Sequence, residues 1–326
     1  MKFIFSSLLL FVSVSALMIP QSLHNTDDCF DDLFSAGMES FNKCDCTLAE
    51  KRWKAALHCS EVTFVQNQKA NEWLLKAQRC DCRTPPPPNI EPEMIFVKGG
   101  TFQMGDVMND SDDADEKIVH TVILNSFQIA KHELTQLQWR ALMGQDPPEL
   151  HHKGCDQCPV ERVSYPEVQA YIQKLNEVTG KKYRLPTEAE WEFAAREGGK
   201  KIRFGNGHNI ADPSEINFDA RMAAKKAYSV VGIYRSGTIA VGSFPPNSLG
   251  LFDMSGNVWE WCNDWYEEYN SVSVANPAGP TTGSRRISKG GGWGTEPLNC
   301  RTSARRNSTP TSRLNALGFR LALTFN

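Results

Sequence analysis

Long apolar runs are missing from this chain. Apart from Phe3–Val12, no stretch approaches the ~18 consecutive apolar residues of a membrane-spanning helix, so no transmembrane anchor is expected. An excess of positive charge is missing too. The 35 Lys and Arg stand against 38 Asp and Glu, for a formal net charge of −3, which argues against nucleic acid or an anionic membrane as partner. Histidine is scarce, with seven residues and no His-x3-Glu-His pattern among them. With 40% hydrophobic and 22% charged residues the chain is able to bury an ordinary globular core,. Its 23 Gly, 18 Pro and 8 Trp predict a loop-rich domain with aromatic packing, not a helical bundle.

Residues 1–16 read as a signal peptide: Lys2, the apolar run, then Val14-Ser-Ala16 with small residues at the cleavage positions,. The mature chain is therefore expected to be secreted, periplasmic or otherwise extracytoplasmic. There the ten cysteines read first as disulfides,. Six of them (Cys29, Cys44, Cys46, Cys59, Cys80, Cys82) fall in residues 27–83, where apolar residues recur at spacings of three and four,. This region is predicted to be a small cysteine-rich helical, tetratricopeptide-like unit stapled by sulfur bridges. The four prolines within residues 84–90 form a semi-rigid linker to a second domain, residues 91–326,.

In that domain, Met94–Gly105 reads as two short strands joined by a Gly-Gly turn, and His120–Ile129 as a further pair,. Helices are expected after Thr135, after Ser164 with Pro166 in the first turn, and from Glu188, where Thr187 and Glu190 make a capping box,. Residues 198–240 read as a long irregular connection. Strands are expected over Arg286–Trp293 and Leu317–Thr324. Cys155-Asp-Gln-Cys158 reads as a loop-closing disulfide; a redox pair, or a zinc set completed by His151 and His152, is the alternative,.

The densest chemistry lies in Leu249–Tyr266, LGLFDMSGNVWEWCNDWY. Asp253 and Glu260 are hard anionic oxygens on either side of a Ser-Gly-Asn bend that turns backbone carbonyls inward. Calcium takes that mixture of carboxylates and carbonyls. The competing reading is a plain turn between strands, with the Trp residues in the core and the acids solvated.

Together the motifs resemble the formylglycine-generating enzyme, or sulfatase-modifying factor, family. They are Val97-Lys-Gly-Gly-Thr-Phe-Gln-Met-Gly105, Pro159-Val-Glu-Arg-Val-Ser-Tyr165, Tyr183-Arg-Leu-Pro-Thr-Glu-Ala-Glu-Trp-Glu192, the Asn247–Trp261 segment, Lys289-Gly-Gly-Gly-Trp293 and Leu317-Gly-Phe-Arg-Leu321. The resemblance implies an α+β, C-type-lectin-like fold with little regular structure over residues 91–326. It also implies calcium at the opening turn, held by Asp253, Gly256, Val258 and Glu260 with Glu133 as a further acid. Asn217 matches part of a second family calcium site, whose acidic position falls here on Ile233.

The activity the resemblance implies is oxidation of a substrate cysteine by copper held between two thiolates five residues apart. Here the matching segment carries only Cys300; Gly294 and Thr295 stand near the other position. Cys300 is thus the sole catalytic candidate. Cys262 is its expected neighbour, as a disulfide or as a pair of buried thiols before a displaced copper site. Arg301, Arg305, Arg306 and Arg320 are expected to hold irregular chain rather than substrate. The function expected is an exported, calcium-stabilised binding or assembly module that contacts a protein partner and lacks the copper site. The alternative is a formylglycine-generating or related oxidase acting on a protein cysteine in sulfatase maturation, with copper as cofactor.

Overall fold

A computed structural model describes residues 33–37, 46–57, 70–71, 74, 90–110 and 114–324. The leader, the prolines at 85–88 and the side chains of the six N-terminal cysteines lie outside the described residues. The chain divides into two compact units, Met1–Pro86 and Pro87–Asn326. No helix among the described residues is long and apolar enough to cross a membrane.

In the first unit, helix α1 (Cys46–Ala56) buries Ala49, Trp53 and Ala56, one face at spacings of four and three,. The Trp53 indole N–H donates to the Phe34 carbonyl at 3.1 Å, and the two rings sit 6.0 Å apart. A Cβ on Gly37 would fall 2.3 Å from the Trp53 ring, so this contact requires glycine.

The second unit is built on one long antiparallel ribbon. Strands β1 (Met94–Val97) and β2 (Gly100–Met104) form one arm, with a short helix α2 (Ala114–Lys117) leading into β3 (His120–Leu124) and β4 (Phe127–Ala130) on the return. The arms are not two separate hairpins as the Gly-Gly pattern suggests. β1 pairs with β4 and β2 with β3, in different sheets. The bend falls at Gly99, where a Cβ would lie 2.3 Å from the Leu124 carbonyl oxygen; only glycine lets the two backbones cross there.

Two helices follow, each begun by a capping box. Thr135 caps α3 (Gln136–Met143), and Ser164 pairs with Glu167 to start α4 (Tyr165–Thr179). Both end in left-handed glycines, Gly144 and Gly180, that accommodate the turn out of the helix,. Trp139 stacks on Tyr171 at 5.3 Å, and Phe319 meets both rings edge-on, which forms the centre of the first core cluster. After β5 (Tyr183–Arg184), the box Thr187–Glu190 starts α5 (Glu188–Ala195), all eight of whose residues are buried.

Residues 198–240 carry turns, bridges and a single 3-10 turn. The chain then enters β6 (Trp259–Trp265), followed by β7 (Val274–Ala275), β8 (Arg286–Lys289), β9 (Arg306–Ser308), β10 (Leu317–Gly318) and β11 (Ala322–Thr324). The sheets run β1-β4-β11-β5, β10-β6-β8-β9 and β2-β3-β7. The final strand expected over Leu317–Thr324 is broken into two pieces in different sheets. Arg320 sits at the break with its side chain fully buried, and its guanidinium takes up the carbonyls of Ala130 and Phe252.

Candidate functional site

The turn 253–260 is bent by three left-handed residues: Asp253 at φ 56°, Gly256 at φ 84° and Asn257 at φ 60°. At Gly256 a Cβ would also strike the Asn217 carbonyl oxygen at 2.4 Å, so glycine is required twice over,. The Gly256 N–H donates to Gly290 and the Asn257 N–H to Asn217, which ties the turn to both neighbouring segments.

The five residues expected at a calcium site are brought into one buried region. Glu133, just ahead of α3, accepts from the Asn257 side-chain amide at 2.7 Å and from the Val258 N–H at 3.1 Å. Asp253 accepts from the Gly242 N–H at 2.7 Å. Glu260, on β6, accepts a two-pronged bond from Arg320 at 2.6 and 2.7 Å, and a third from the Trp191 indole at 2.7 Å. Glu133 and Glu260 are sealed from water, and Asp253 is half-buried. Burial, reinforced by the charges of Asp253 and Glu260, holds the Glu133 carboxyl well above the usual range. Burial pushes Asp253 up to about 6, against the pull of the Gly242 N–H and Arg320.

Three carboxylates thus share the region with one guanidinium, which is the charge imbalance a bound cation would relieve. The fit is uneven along the set. Asp253 and Glu133 have lone pairs available to a cation, whereas Glu260 already has Arg320 and Trp191 on its two oxygens. Among the described residues no three Asp, Glu, His or Cys side chains converge as a ready-made metal cluster, so backbone carbonyls would have to supply much of the coordination. Asn217 pairs with this turn, and its Oδ1 is buried without a hydrogen-bond partner among the described residues. Ile233, by contrast, is 66% exposed and has no side-chain oxygen to bring to a second site.

Cys155 and Cys158 form a disulfide, which takes both sulfurs out of any zinc set with His151 and His152. The expected bond between Cys262 and Cys300 is not made: both are free and completely buried. The reason lies in where their elements face. On β6, Cys262 packs into the cluster of Phe102, Trp191 and Leu251, while Cys300, closing a 3-10 turn, packs beneath Phe204, Ile216 and Phe218. The two thiols belong to different core clusters.

The thiolate is disfavoured by burial at both. Burial pushes Cys300 up to about 12, although the Thr295 hydroxyl 3.4 Å away and the Gly292 backbone pull the other way. Burial, with the Asp264 and Glu188 charges behind it, holds Cys262 well above its ordinary value. A Cβ on Gly291 would fall 2.6 Å from the Cys300 sulfur, so the backbone itself covers it. Copper ligation and nucleophilic attack both need thiolate, and at neither position does the structure favour one.

The arginines hold chain, as expected. Arg301 forms a two-pronged pair with Glu116, Arg305 one with Glu188 at 2.7 and 3.0 Å, and Arg306 lies over the Trp259 ring at 5.6 Å. The partners of these groups come from distant parts of the chain and are not legible in the sequence. Lys289 is fully buried between Glu192 at 3.1 Å and the Ser303 carbonyl at 3.0 Å, and Asp264 takes the Glu188 N–H at 2.9 Å. The signal for Asn257 was available, since it lies inside the bend and its amide is the bridge to Glu133.

Comparison with known proteins agrees with this architecture. The profile of the sulfatase-modifying factor enzyme 1-like domain matches residues 83–325. The chain is 38% identical over 189 residues to a formylglycine-generating enzyme of Mus musculus, covering 56% of this chain and 48% of that protein. It is 30% identical over 269 residues to the serine/threonine-protein kinase pkn1 of Chlamydia pneumoniae, covering 74% of this chain and 39% of that one. It thus spans less than half the length of both relatives. Among solved structures, PvdO from Pseudomonas aeruginosa superposes with a TM-score of 0.61 at 27% identity, over 73% of this chain and 97% of that one. The mixed, sparsely regular fold of residues 87–326 is the sulfatase-modifying-factor, C-type-lectin-like fold, and the chain belongs to the sulfatase-modifying factor enzyme 1-like family.

Proposed function

We propose that this chain is an exported, calcium-stabilised binding or assembly module of its family, one that engages a protein partner and carries no copper oxidation site. The observation that carries the reading is the setting of its two unpaired thiols among the described residues: they lie in separate core clusters and are fully buried, and burial holds both above the ordinary thiol value. A two-cysteine copper site needs two thiolates on one metal. The names of the relatives bear on this too, because the same domain occurs in a protein named as a kinase and in one named as a formylglycine-generating enzyme.

Calcium would be held by Asp253 and Glu133 with carbonyls of the 253–260 turn, while Glu260 keeps Arg320 in place. The ion would neutralise buried charge and lock the bend. The test of the functional reading is Cu(I) titration of the folded protein against a chromophoric Cu(I) chelator. The expected result is that the chelator retains its copper until denaturant exposes Cys262 and Cys300; stoichiometric capture by the native protein would instead favour the oxidase.

A further inference from the structure

Beyond the 253–260 turn, the structure has another buried carboxyl group, toward the far end of β6. Asp264 is 5% exposed and lines a cleft of about 120 Å³. Its Oδ2 accepts the Glu188 N–H at 2.9 Å, and its Oδ1 has no hydrogen-bond partner among the described residues. Residues 277–280 roof the group closely: Gly279 sits at φ 69°, and a Cβ there would fall 3.0 Å from the Asp264 Cβ.

The charge around this cleft is one-sided. Glu188, Asp264 and the exposed Glu267 and Glu268 line it, with Arg305 as the facing guanidinium. Arg305 is already committed: it holds Glu188 with two bonds and donates to the carbonyls of Asp115 and Glu267. Lys289, 3.8 Å from Glu188, is bound to Glu192 and Ser303. Burial, with the Glu188 charge next, pushes Asp264 up to about 8, although the Glu188 N–H and Arg305 pull the other way,. Met104, Val272, Val274 and Pro277 supply the aliphatic part of the lining, beside His120, Tyr269 and Asn270.

A buried acid in a partly aliphatic cleft, with further carboxylates in the lining, matches a cation on a short hydrocarbon stem. We propose that this cleft binds a primary alkylammonium group, the stem lying against the Met104–Val274 wall and the ammonium donating to Asp264 Oδ1. A metal ion fits less well, because hard cations take six or more oxygens, and no three Asp, Glu, His or Cys side chains among the described residues converge to hold one. The ammonium could belong to a lysine side chain of a partner or to a free diamine. The competing view is that Asp264 only caps α5, which needs Oδ2 alone.

Calorimetric titration of the full chain with n-butylammonium chloride, and with n-butanol as the uncharged control, tests the proposal. Native protein should bind the amine and not the alcohol. Asp264→Asn keeps an oxygen for the Glu188 N–H and should retain the melting temperature while weakening the amine by about tenfold or more. Should that variant not fold, the exposed rim pair Glu267→Lys with Glu268→Lys should weaken binding without touching the core. Tighter binding of an acetyl-lysine-amide peptide than of cadaverine assigns the ammonium to a protein partner, and the reverse order to a free diamine; both orders support the cleft. No amine binding by folded native protein, or binding undiminished in the variants, overturns the proposal.

Discussion

At the scale of single residues, the ion pair of Glu260 and Arg320 sets the geometry of the signature turn. Both side chains are completely buried, and removing one partner leaves the other charged and unpaired. Arg320→Ala should therefore cost about 3–5 kcal/mol in denaturant unfolding. Arg320→Lys should recover only part of that, since an ammonium cannot reproduce the fork that meets both Glu260 oxygens and the Phe252 carbonyl,. Gly256→Ala should lose about 1–3 kcal/mol, because it combines a positive φ with a contact at 2.4 Å,.

Asp253 carries the calcium prediction and its pH dependence. Its folded value, near 6, lies above the ordinary 3.8, so without metal the folded state holds the proton more tightly than the unfolded chain. The stability this contributes is fully present below about pH 3.8 and is lost as pH rises through about 6,. Calcium must displace that proton. Its stabilising effect on the melting temperature should therefore be larger at pH 7 than at pH 5, and absent in Asp253→Ala. A chelator that leaves the native melting temperature unchanged at pH 7 contradicts the calcium assignment.

At the scale of elements, what could be read from the sequence depended on whether the signal was local. Helix starts were legible because their determinants lie within four residues: Thr135 with Gln138, Ser164 with Glu167, Thr187 with Glu190. Thr187→Ala should cost about 1 kcal/mol, read as a shift in the denaturation midpoint, since the Glu190 N–H loses its acceptor,. Strand pairing was not legible. The Gly-Gly pattern marks a bend in one long ribbon, and only the close approach of Leu124 to Gly99 distinguishes that from a hairpin turn. The fates of Cys262 and Cys300 were hidden for the same reason, because the core each thiol enters is built largely from distant residues, Phe102 and Trp191 for the one and Phe204, Ile216 and Phe218 for the other. The acidic cluster itself was legible from the 253–260 motif and Glu133, but not that Arg320 would take Glu260.

At the scale of the whole molecule, the family fold is retained, while the two free cysteines among the described residues are buried in separate core clusters. The irregular chain is held by buried pairs: Arg301 with Glu116, Arg305 with Glu188, Lys289 with Glu192. Acid should dissolve this network. Although burial works to raise it, Glu188 is held below its ordinary value by the charges of Arg305 and Lys289. The stability it contributes is present above about pH 4.5 and is lost as pH falls through its folded value,. Arg305→Ala should narrow the acid side of the stability profile, measured as melting temperature between pH 3 and pH 6.

Binding without oxidation, as proposed for this fold, has a chemical test. The full chain, supplied with Cu(I), oxygen and a sulfatase peptide containing the substrate cysteine, is assayed by mass spectrometry for conversion of that cysteine to formylglycine. The expected result is unchanged peptide at every copper concentration that leaves the protein folded. Aldehyde formed at a rate proportional to the folded protein, and abolished by Cys300→Ser, would contradict the account.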